Sequence, residues 1–351
     1  MENIRNSCEQ IRPLKKEYFE LAQKRLDILT KPQGSLGQLE HFAARLVAIY
    51  EEAMPEIPKK AVFVFAGDHG VAEEGVSAFP PEVTQQMVFN FLRGGAGINV
   101  LARHAGADVL VIDVGVNHDF KDCPGLINKK VVYGTKNIAK EPAMTRDEAI
   151  KCINTGIDLA REYAKQGYKM FATGEMGIAN TTPSSAMASV ITGTPAKEVT
   201  GRGTGIEYAQ LIKKIDVIER SIAINAPDKN DPLDVLAKIG GAEIGAIAGL
   251  CLGAAELGLP VVIDGFISTA GAVIAYGLNN AVKEYMFAAH RSHEIGHKAL
   301  LAHMGLTPML ELDMRLGEGT GAAIAMTILD ASLKIYREMA TFHDAGVSDK
   351  S

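Results

Sequence analysis

A glycine-rich stretch near the C-terminus carries the side chain best suited to chemistry. In RLGEGTG, at positions 315–321, Glu318 stands between glycines, three residues after Arg315. Glycine permits tight turns and a close approach of the backbone to a ligand. The apolar run at 322–326 is typical of a buried helix. The pattern indicates a carboxylate at a loop-to-helix junction that faces a small molecule, although a helix-capping acid would produce the same pattern.

Two further glycine loops have the composition of small-molecule binding loops. The first, GEMGIANTT at 174–182, follows an apolar run and opens a helix, where free backbone N–H groups attract anions. Glu175 would repel a phosphate, so it suits a sugar hydroxyl or a cationic centre better, and a plain strand-to-helix turn remains open. The second, GRGTG at 201–205, precedes Lys213 and Lys214 and resembles an anion cradle. Neither is a Walker A or GxGxxG sequence, which argues against triphosphates and dinucleotides.

A possible metal motif lies further along the chain. The sequence HEIGH places His293, Glu294 and His297 in the H-E-x-x-H spacing of zinc hydrolases. His303 stands where metzincins have a third ligand, but the intervening glycine of that motif is Leu300 here. The helix would then continue and turn His303 roughly 240° away from His297. A zinc hydrolase remains the alternative enzyme, whereas we favour a helix with solvent-facing histidines and predict no metal site.

The composition is that of an ordinary soluble protein. With 351 residues, of which 47% are hydrophobic and 22% charged, the chain is long enough for two domains. The net charge of −6 argues against a nucleic-acid binder. The four cysteines are far apart and form no C-x-x-C pair. The N-terminus lacks the apolar segment of a signal peptide and no apolar run is long enough for a membrane span, so we expect a cytoplasmic protein.

Four apolar runs, each ending in glycine or Asp-Gly, predict the strands that position these loops. They cover 61–66, 107–115, 168–174 and 259–265, and helix-like segments separate them. Such runs suit strands buried on both faces, and their alternation with helices predicts a parallel sheet. Ligands of such sheets bind beyond the carboxyl ends of the strands, so we expect Asp68 and His69 to wall the site.

The two chain ends have a different character. Residues 1–53 predict two helices separated by a glycine loop at 30–37. The stripe predicted for the first helix consists of Leu14, Tyr18, Leu21, Arg25 and Ile28. The polar tail after Thr341 predicts a frayed end.

Five stretches together resemble one family. They are KPQGSLG at 31–37, DHGV at 68–71, the loop at 174–182, DGF at 264–266 and RLGEG at 315–319, in this order along nearly the whole chain. The family is nicotinate-nucleotide–dimethylbenzimidazole phosphoribosyltransferase, which activates the lower ligand of cobamides. The resemblance implies an α/β fold with a parallel-sheet, Rossmann-like three-layer domain at 60–290. It also implies a small helical domain formed by both chain ends, 1–59 and 291–351.

The resemblance also implies a reaction. Nicotinate mononucleotide would give its 5-phosphoribosyl group to an aromatic base, with inversion from β to α at the anomeric carbon and departure of nicotinate. Glu318 would be the general base that takes a proton from the attacking base, and Glu175 a second acid of the site. The positions expected to bind phosphate and ribose are Gly174, Met176, Gly177, Gly203, Lys214, Ser292, Arg315, Leu316 and Gly317. No metal or cofactor is implied, since positioning and electrostatics can carry the displacement.

The expected acceptor pocket is where this sequence departs from the family. The resemblance places Phe79, Pro80, Gln86 and Met87 in its wall. Members that use dimethylbenzimidazole tend to have Ser at the position of Phe79 and Gln at that of Met87. The two apolar residues predict broader acceptor use, including phenol or p-cresol, while a repacked loop that keeps dimethylbenzimidazole is the open alternative. The family implies a homodimer or a heterodimer with a related chain, and a non-catalytic paralogous subunit is a further alternative.

Overall fold

A six-stranded parallel sheet forms the centre of the fold. The computed structural model describes residues 1–203 and 205–348. The strands are β1 (Lys60–Gly67), β2 (Asp108–Gly115), β3 (Leu126–Asn128), β4 (Met170–Met176), β5 (Val261–Ile263) and β6 (Met286–Ala288). Their spatial order is β3-β2-β1-β4-β5-β6, and all neighbouring strands are parallel. This is the order of a doubly wound fold, in which the winding direction reverses between β1 and β4.

The predicted α/β class is confirmed, and each of the four predicted strands has a counterpart in the sheet. β1 reads KAVFVFAG and is buried at every position, as expected for a strand covered on both faces. β4 begins and ends two residues later than its predicted range, so Glu175 belongs to the strand and not to the loop after it. The sequence pattern does not indicate β3 and β6, because neither of these three-residue strands lies in one of the four apolar runs, whereas the equally short β5 does.

Helices cover the sheet and form the chain ends in the part of the chain that the structure describes. They are α1 (Glu2–Gln10), α2 (Lys16–Ile28), α3 (Gln38–Tyr50), α4 (Glu82–Leu92), α5 (Gly97–Ala105), α6 (Arg146–Lys165), α7 (Thr181–Thr192), α8 (Ala196–Val199), α9 (Tyr208–Asn225), α10 (Pro232–Ile239), α11 (Ala242–Glu256), α12 (Phe266–Leu278), α13 (Gly296–Met304), α14 (Thr320–Glu338) and α15 (Phe342–Ala345). Two 3₁₀-helices cover Gly70–Glu74 and Asn280–Tyr285. None of these described helices is both long enough and apolar enough to cross a membrane.

The apolar helix α11 packs against the sheet and against α6. Its residues from Ala242 to Ala255 are buried all round, which explains why its sequence shows no polar face. The backbones of α6 and α11 approach closely because glycines meet at the crossing. A Cβ on Gly156 would overlap the backbone of α11, and one on Gly249 would overlap the Ile153 carbonyl. The crossing therefore requires glycine at both positions.

The two ends of the chain meet in a second apolar cluster. Leu26 of α2, Val47 of α3 and Tyr336 of α14 are buried in it together. The Arg25 guanidinium donates hydrogen bonds to the carbonyl oxygens of Tyr336 at 2.7 Å and Arg337 at 3.0 Å. Helices from both termini thus form one packed unit, while the predicted domain boundaries of 1–59, 60–290 and 291–351 stay a prediction.

The N-terminal segment differs from its prediction in two respects. It contains three helices and not two, because the chain breaks between α1 and α2. The predicted apolar stripe of α2 is also wrong, since Leu21 is 40% exposed and Ile28 is 50% exposed. The buried face carries Ala22 and Leu26, because α3 and α14 pack on that side.

Two polar segments at the chain ends are ordered by specific contacts. The loop at 31–37 is held by a buried ion pair of 2.8 Å between Lys31 Nζ and Glu40 Oε1. After Thr341, the helix α15 begins where the Thr341 hydroxyl accepts a hydrogen bond from the Asp344 N–H at 3.1 Å. The predicted frayed tail is therefore wrong for α15, and residues 349–351 lie outside the described residues.

Candidate active site

A cavity of about 450 Å³ lies beyond the carboxyl ends of β4, β5 and β6. Its position is the one expected for a ligand site in a doubly wound sheet. The predicted site residues in its wall are Phe79, Met87, Glu175, Met176, Gly177, Gly203, Ser292, Arg315, Leu316, Gly317 and Glu318. The remaining predicted residues, Pro80, Gln86, Gly174 and Lys214, lie beside or behind that wall.

The loop that carries Glu318 has a strained backbone. Gly317, Glu318 and Gly319 have φ angles of 81°, 62° and 90°, so three consecutive residues are left-handed. This conformation is easy for glycine and unfavourable for glutamate, and such strain is typical of functional sites. The loop lies directly on β4, since a Cβ on Gly174 would stand 2.5 Å from the Glu318 carbonyl oxygen. Gly174 thus supports the loop from behind.

The Glu318 carboxylate is held in place by two neighbouring elements. Only 6% of the residue is exposed, and its Oε2 accepts a hydrogen bond from the Ile98 N–H at the start of α5, at 3.1 Å. Burial raises the pKa of Glu318, the Ile98 hydrogen bond opposes this, and the nearby Asp264 carboxylate raises the pKa further. Asp264 in turn accepts hydrogen bonds from the Gly319 N–H at 3.2 Å and the Ala322 N–H at 3.0 Å.

Glu175 stands at the end of β4 and faces the same cavity. Its Oε2 accepts a hydrogen bond from the Asn180 side-chain amide. Burial raises the pKa of Glu175 to about 8, the Asn180 bond opposes the rise, and the carboxylates of Asp264, Glu243 and Glu318 add to it. The Glu175 carboxyl is therefore mostly protonated near neutral pH and can donate a hydrogen bond.

Lys214 supplies a buried positive charge behind the glycine loop at 201–205. Its Nζ donates a hydrogen bond of 2.7 Å to the Thr181 hydroxyl, which lines the cavity. Burial lowers the pKa of Lys214 to about 8, and the Glu294 carboxylate opposes the fall. Gly203 leaves room for this ammonium group, because a Cβ there would lie 3.1 Å from Nζ. Thr204 of this loop lies outside the described residues.

Comparison with known proteins identifies the family to which such a site belongs. A family model described as phosphoribosyltransferase matches residues 11–347. The chain belongs to this phosphoribosyltransferase family. The match covers the whole sheet, the glycine loops and the Glu318 loop.

Similar proteins and solved structures align with nearly the whole chain. A nicotinate-nucleotide–dimethylbenzimidazole phosphoribosyltransferase from Geotalea uraniireducens is 60% identical over 349 residues, which are 99% of each chain. A protein of the same name from Geobacter sulfurreducens is 57% identical and covers 99% of this chain and 98% of its own. A crystal structure of CobT from Thermus thermophilus has a TM-score of 0.91 at 47% identity and covers 95% of this chain and 100% of that one.

The segment before and within α4 forms an apolar wall of the phosphoribosyltransferase cavity. Phe79, Val83 and Met87 line the cavity, and Phe79 is 52% exposed. Met87 is fixed on one side, where the Asn90 side-chain amide donates a weak hydrogen bond of 3.9 Å to its Sδ. Pro80 and Gln86 do not line this cavity. Gln86 lies on the exposed face of α4, away from Val83 and Met87, and Pro80 precedes the helix.

The HEIGH sequence does not form a metal site in this family member. The helix α13 begins only at Gly296, so His293 precedes it and is exposed. His297 is fully buried, and the prediction of a solvent-facing side chain is wrong for it. Its Nδ1 accepts from the Ser292 N–H at 2.9 Å, and its Nε2 lies 2.9 Å from the Thr269 hydroxyl. Burial lowers the pKa of His297 to about 3, and both ring nitrogens are occupied.

The described residues contain no group of three His, Cys, Asp or Glu side chains arranged to hold a metal ion. This finding covers residues 1–203 and 205–348. Together with the position of His297, it gives the zinc alternative no structural support.

Asp68 and His69 line a different cavity from the one that contains Glu318. That cavity has a volume of about 740 Å³ and lies beyond β1 and β2. His69 is buried, with its Nε2 2.6 Å from Glu243 Oε1. The expectation that these two residues wall the Glu318 cavity is therefore wrong, because the sheet reverses its winding direction between β1 and β4 and separates the two sets of loops.

Several residues of the cavity wall were not predicted individually as site residues, although two of them lie in stretches that the sequence analysis singles out. Among them are Asn180, Phe266 and His290. His290 follows β6, which lies outside the four predicted apolar runs, although the apolar stretch before a lone histidine is a usable signal. His290 Nε2 stands 3.9 Å from Asp264 Oδ1, behind the Glu318 loop.

Proposed function

We propose that this chain transfers the 5-phosphoribosyl group of nicotinate mononucleotide to an aromatic base in cobamide synthesis. The products are the α-riboside phosphate and nicotinate. Full-length similarity to proteins of that name supports the proposal. The observation that carries it is the buried Glu318 carboxylate in a cavity that is also lined by Thr181, the hydroxyl partner of the Lys214 cation.

The donor phosphate is assigned to the end of the cavity near Lys214. Thr181 and Gly203 line this end, Ser292 lines the same cavity, and the Lys214 ammonium stands directly behind Thr181. A charge-assisted contact between an ammonium and a phosphate is among the stronger polar interactions in proteins. Binding energy at the phosphate then orients the anomeric carbon for the displacement.

The displacement needs a base more than an acid. Nicotinate leaves from a pyridinium that is already cationic, so no proton has to be supplied to it. The incoming acceptor loses a proton as its ring nitrogen, or its hydroxyl oxygen in a phenol, bonds to the anomeric carbon, and Glu318 accepts that proton. Because burial raises the pKa of Glu318, we expect the rate to rise as the pH increases through that pKa and ionises the carboxylate.

Glu175 is assigned to the ribose. Its pKa of about 8 keeps the carboxyl mainly neutral near pH 7, so it can donate a hydrogen bond to a ribose oxygen. Once ionised, it would stabilise positive charge that develops on the ring. The loop at Gly317 packs against Glu175 and keeps it facing the cavity.

The acceptor is assigned to the wall formed by Phe79, Val83 and Met87. An aromatic ring can pack by its edge or face against Phe79, and the flexible Met87 thioether adapts to different ring shapes. These side chains offer little hydrogen bonding, so acceptor choice would depend mainly on shape. We propose that the chain accepts phenol or p-cresol in addition to dimethylbenzimidazole.

Incubation of the purified chain with nicotinate mononucleotide and a panel of bases tests the proposal. Dimethylbenzimidazole, benzimidazole, phenol and p-cresol are supplied at equal concentration, and products are identified by mass. We expect an α-riboside phosphate of at least one base and an equal amount of nicotinate. A parallel sample with a chelator should retain its activity. Failure to transfer to any base would overturn the proposal, and loss of activity with chelator would favour the zinc alternative.

The proposal also covers the oligomeric state of the chain and its location in the cell. The resemblance implies a homodimer or a heterodimer with a related chain in the cytoplasm. Turnover by this chain purified alone, combined with its mass in solution, separates a homodimer from a subunit that needs a partner.

A further inference from the structure

Glu294 is a cavity residue to which the proposed chemistry assigns no role. It lines the cavity and is 7% exposed. Its Oε2 has no hydrogen-bond partner among the described residues, and the carboxylate lies against the backbone of Gly201. A buried carboxylate oxygen without a partner is unfavourable, so a compensating interaction is expected.

Lys214 is the group that Glu294 can act on. Lys214 is fully buried, and its Nζ is bonded to two neutral oxygens, the Thr181 hydroxyl at 2.7 Å and the Gly201 carbonyl at 3.5 Å. Neutral oxygens do not offset a full charge, and a buried ammonium without a counter-ion tends to lose its proton. Both Lys214 and the Glu294 carboxylate approach Gly201, which brings the opposite charges to the same loop.

Other charged groups around Lys214 do not take this role in the described structure. The helices packed against α9 are α7, α8 and α10, and α7 carries no charged residue. The charged residues of α8, of α10, of the loop at 201–205 and of the chain within two residues of Lys214 are Lys197, Glu198, Arg202, Lys213, Asp216, Asp234 and Lys238. The first five are exposed, and the last two form an ion pair with each other at 2.9 Å. The acids Glu175, Asp264 and Glu318 act on one another.

We propose that Glu294 is a positioning residue that keeps Lys214 protonated in the empty site, so that the donor phosphate meets a cation. The inference rests on the proposed function, since it assigns the donor phosphate to Lys214. Glu294 acts through Lys214 and does not take part in the displacement. The same carboxylate repels the phosphate once it is bound, so Glu294 is useful only where Lys214 would otherwise be neutral.

This balance predicts a crossover with pH. Where Lys214 stays protonated without help, removal of the Glu294 charge leaves donor binding equal or improved. At higher pH, removal of that charge lets Lys214 lose its proton, and donor binding weakens. The pKa of Lys214, about 8, places the crossover near neutral to mildly alkaline pH.

The test is kcat/KM for nicotinate mononucleotide between pH 6.5 and 9.5 in wild type and Glu294→Gln. We expect the alkaline limb of the profile to move down by about one pH unit or more in the variant, the usual effect of losing an adjacent opposite charge. At pH 9 the variant should then be about tenfold slower than wild type, since each pH unit beyond the pKa changes the protonated fraction tenfold. Near pH 6.5 it should equal or exceed wild type. Glu294→Asp, which keeps the charge, should restore the wild-type profile.

Two matched comparisons separate Lys214 from Glu175, which titrates in the same range. Nicotinate riboside lacks the phosphate, so its profile should keep the Glu175 titration and not respond to Glu294→Gln. Arginine stays charged at all these pH values. The pH profile of Lys214→Arg should therefore not change when Glu294→Gln is added to it.

Superimposable profiles of wild type and Glu294→Gln would overturn the inference. An equal loss at every pH with both substrates, with a lower melting temperature, would also overturn it, because it would show a purely structural role. Absence of transfer by wild type would instead count against the proposed function.

Discussion

Two glutamates reach the same cavity in different surroundings. The Glu318 carboxylate accepts a backbone N–H, while Glu175 accepts a side-chain amide and has its pKa raised to about 8. The Glu318 carboxylate also raises the energy of the charged form of Glu175. Near neutral pH Glu175 is mostly protonated and can donate a hydrogen bond, while the role proposed for Glu318 is to accept a proton. Two neighbouring carboxyls with separated roles are a recurring catalytic arrangement.

Replacement of Glu318 by Gln removes the proton acceptor and keeps the shape of the side chain. We expect transfer to slow by about 10²–10⁴-fold, the usual contribution of general acid–base catalysis. Donor binding should be retained, and single-turnover kinetics would separate the two effects. Glu311→Gln, which changes an exposed carboxylate in the same segment, is the matched control and should leave the rate unchanged. A near-normal rate for Glu318→Gln would remove Glu318 from the role of base.

Replacement of Phe79 by Ser together with Met87 by Gln tests the acceptor wall. The double variant introduces hydrogen-bonding groups and removes apolar contacts at the positions that line the cavity. We expect the ratio of phenolic to dimethylbenzimidazole product to fall in a competition assay with equimolar acceptors. Gln85→Ala, on the face of α4 toward the larger cavity, is the control and should leave the ratio unchanged. No phenolic product in wild type and an unchanged ratio in the double variant would contradict the assignment.

At the scale of elements, the Glu318 loop is held between three supports. Gly174 of β4 lies beneath it, the start of α5 binds its carboxylate, and Asp264 after β5 binds its backbone. Each support comes from a different part of the sequence. The strained φ angles of the loop persist because these contacts offset the strain.

Asp264 is the support whose removal is easiest to interpret. Both its oxygens accept backbone hydrogen bonds, from Gly319 and Ala322, and an asparagine can accept with only one of them. We expect Asp264→Asn to lower kcat more than it weakens donor binding and to reduce the free energy of unfolding by about 1–3 kcal/mol.

Asp231→Asn is the matched control for that experiment. Asp231 caps α10 through hydrogen bonds from the Leu233 and Asp234 N–H groups, both to Oδ1, and forms an ion pair of 2.8 Å with Arg146 that asparagine would lose, but it lies outside the cavity wall. It should lower stability in urea denaturation and leave kcat unchanged. If kcat of Asp264→Asn equalled kcat of Asp231→Asn, the Glu318 loop would not depend on Asp264.

At the scale of the whole molecule, helices from the two ends of the chain pack against each other. Arg25 joins α2 to the end of α14 through two carbonyl oxygens and lies over the Tyr336 ring at 5.7 Å. Because α14 begins at the Glu318 loop, the terminal cluster is connected to the site along a single helix.

Arg25→Ala should therefore destabilise the fold without changing the chemistry. We expect the free energy of unfolding to fall by about 1–3 kcal/mol, since two charge-assisted hydrogen bonds are lost. The rate under native conditions should be unchanged. Lys24→Ala, on the exposed side of the same helix, should leave the urea midpoint unaffected. An unaltered midpoint for Arg25→Ala would mean that the terminal cluster unfolds independently of the sheet.

Local pattern in the sequence was sufficient for the fold class and for the glycine loops that carry Glu318 and Glu175, whereas the other predicted wall residues came from the resemblance to the family. Buried strands read as apolar runs, and a parallel sheet presents its loops at one edge, so β1, β2, β4 and β5 could be predicted together with the edge that binds the ligand. Glycines on both sides of Glu318 marked its loop, because only glycine adopts such φ angles easily. These features depend on residues that are close in the sequence.

The tertiary structure alone determines which side chains are buried and which cavity they line, because these properties depend on contacts between distant parts of the chain. The pattern placed Asp68 and His69 at the Glu318 cavity, whereas the reversal of winding between β1 and β4 puts them in another. It made Leu21 and Ile28 a buried stripe, although the face opposite α3 and α14 stays exposed. His297 became a buried, neutral residue because Ser292 and Thr269 enclose it. Burial and charge pairing arise from all elements packed around a side chain, and no short stretch of sequence contains that information.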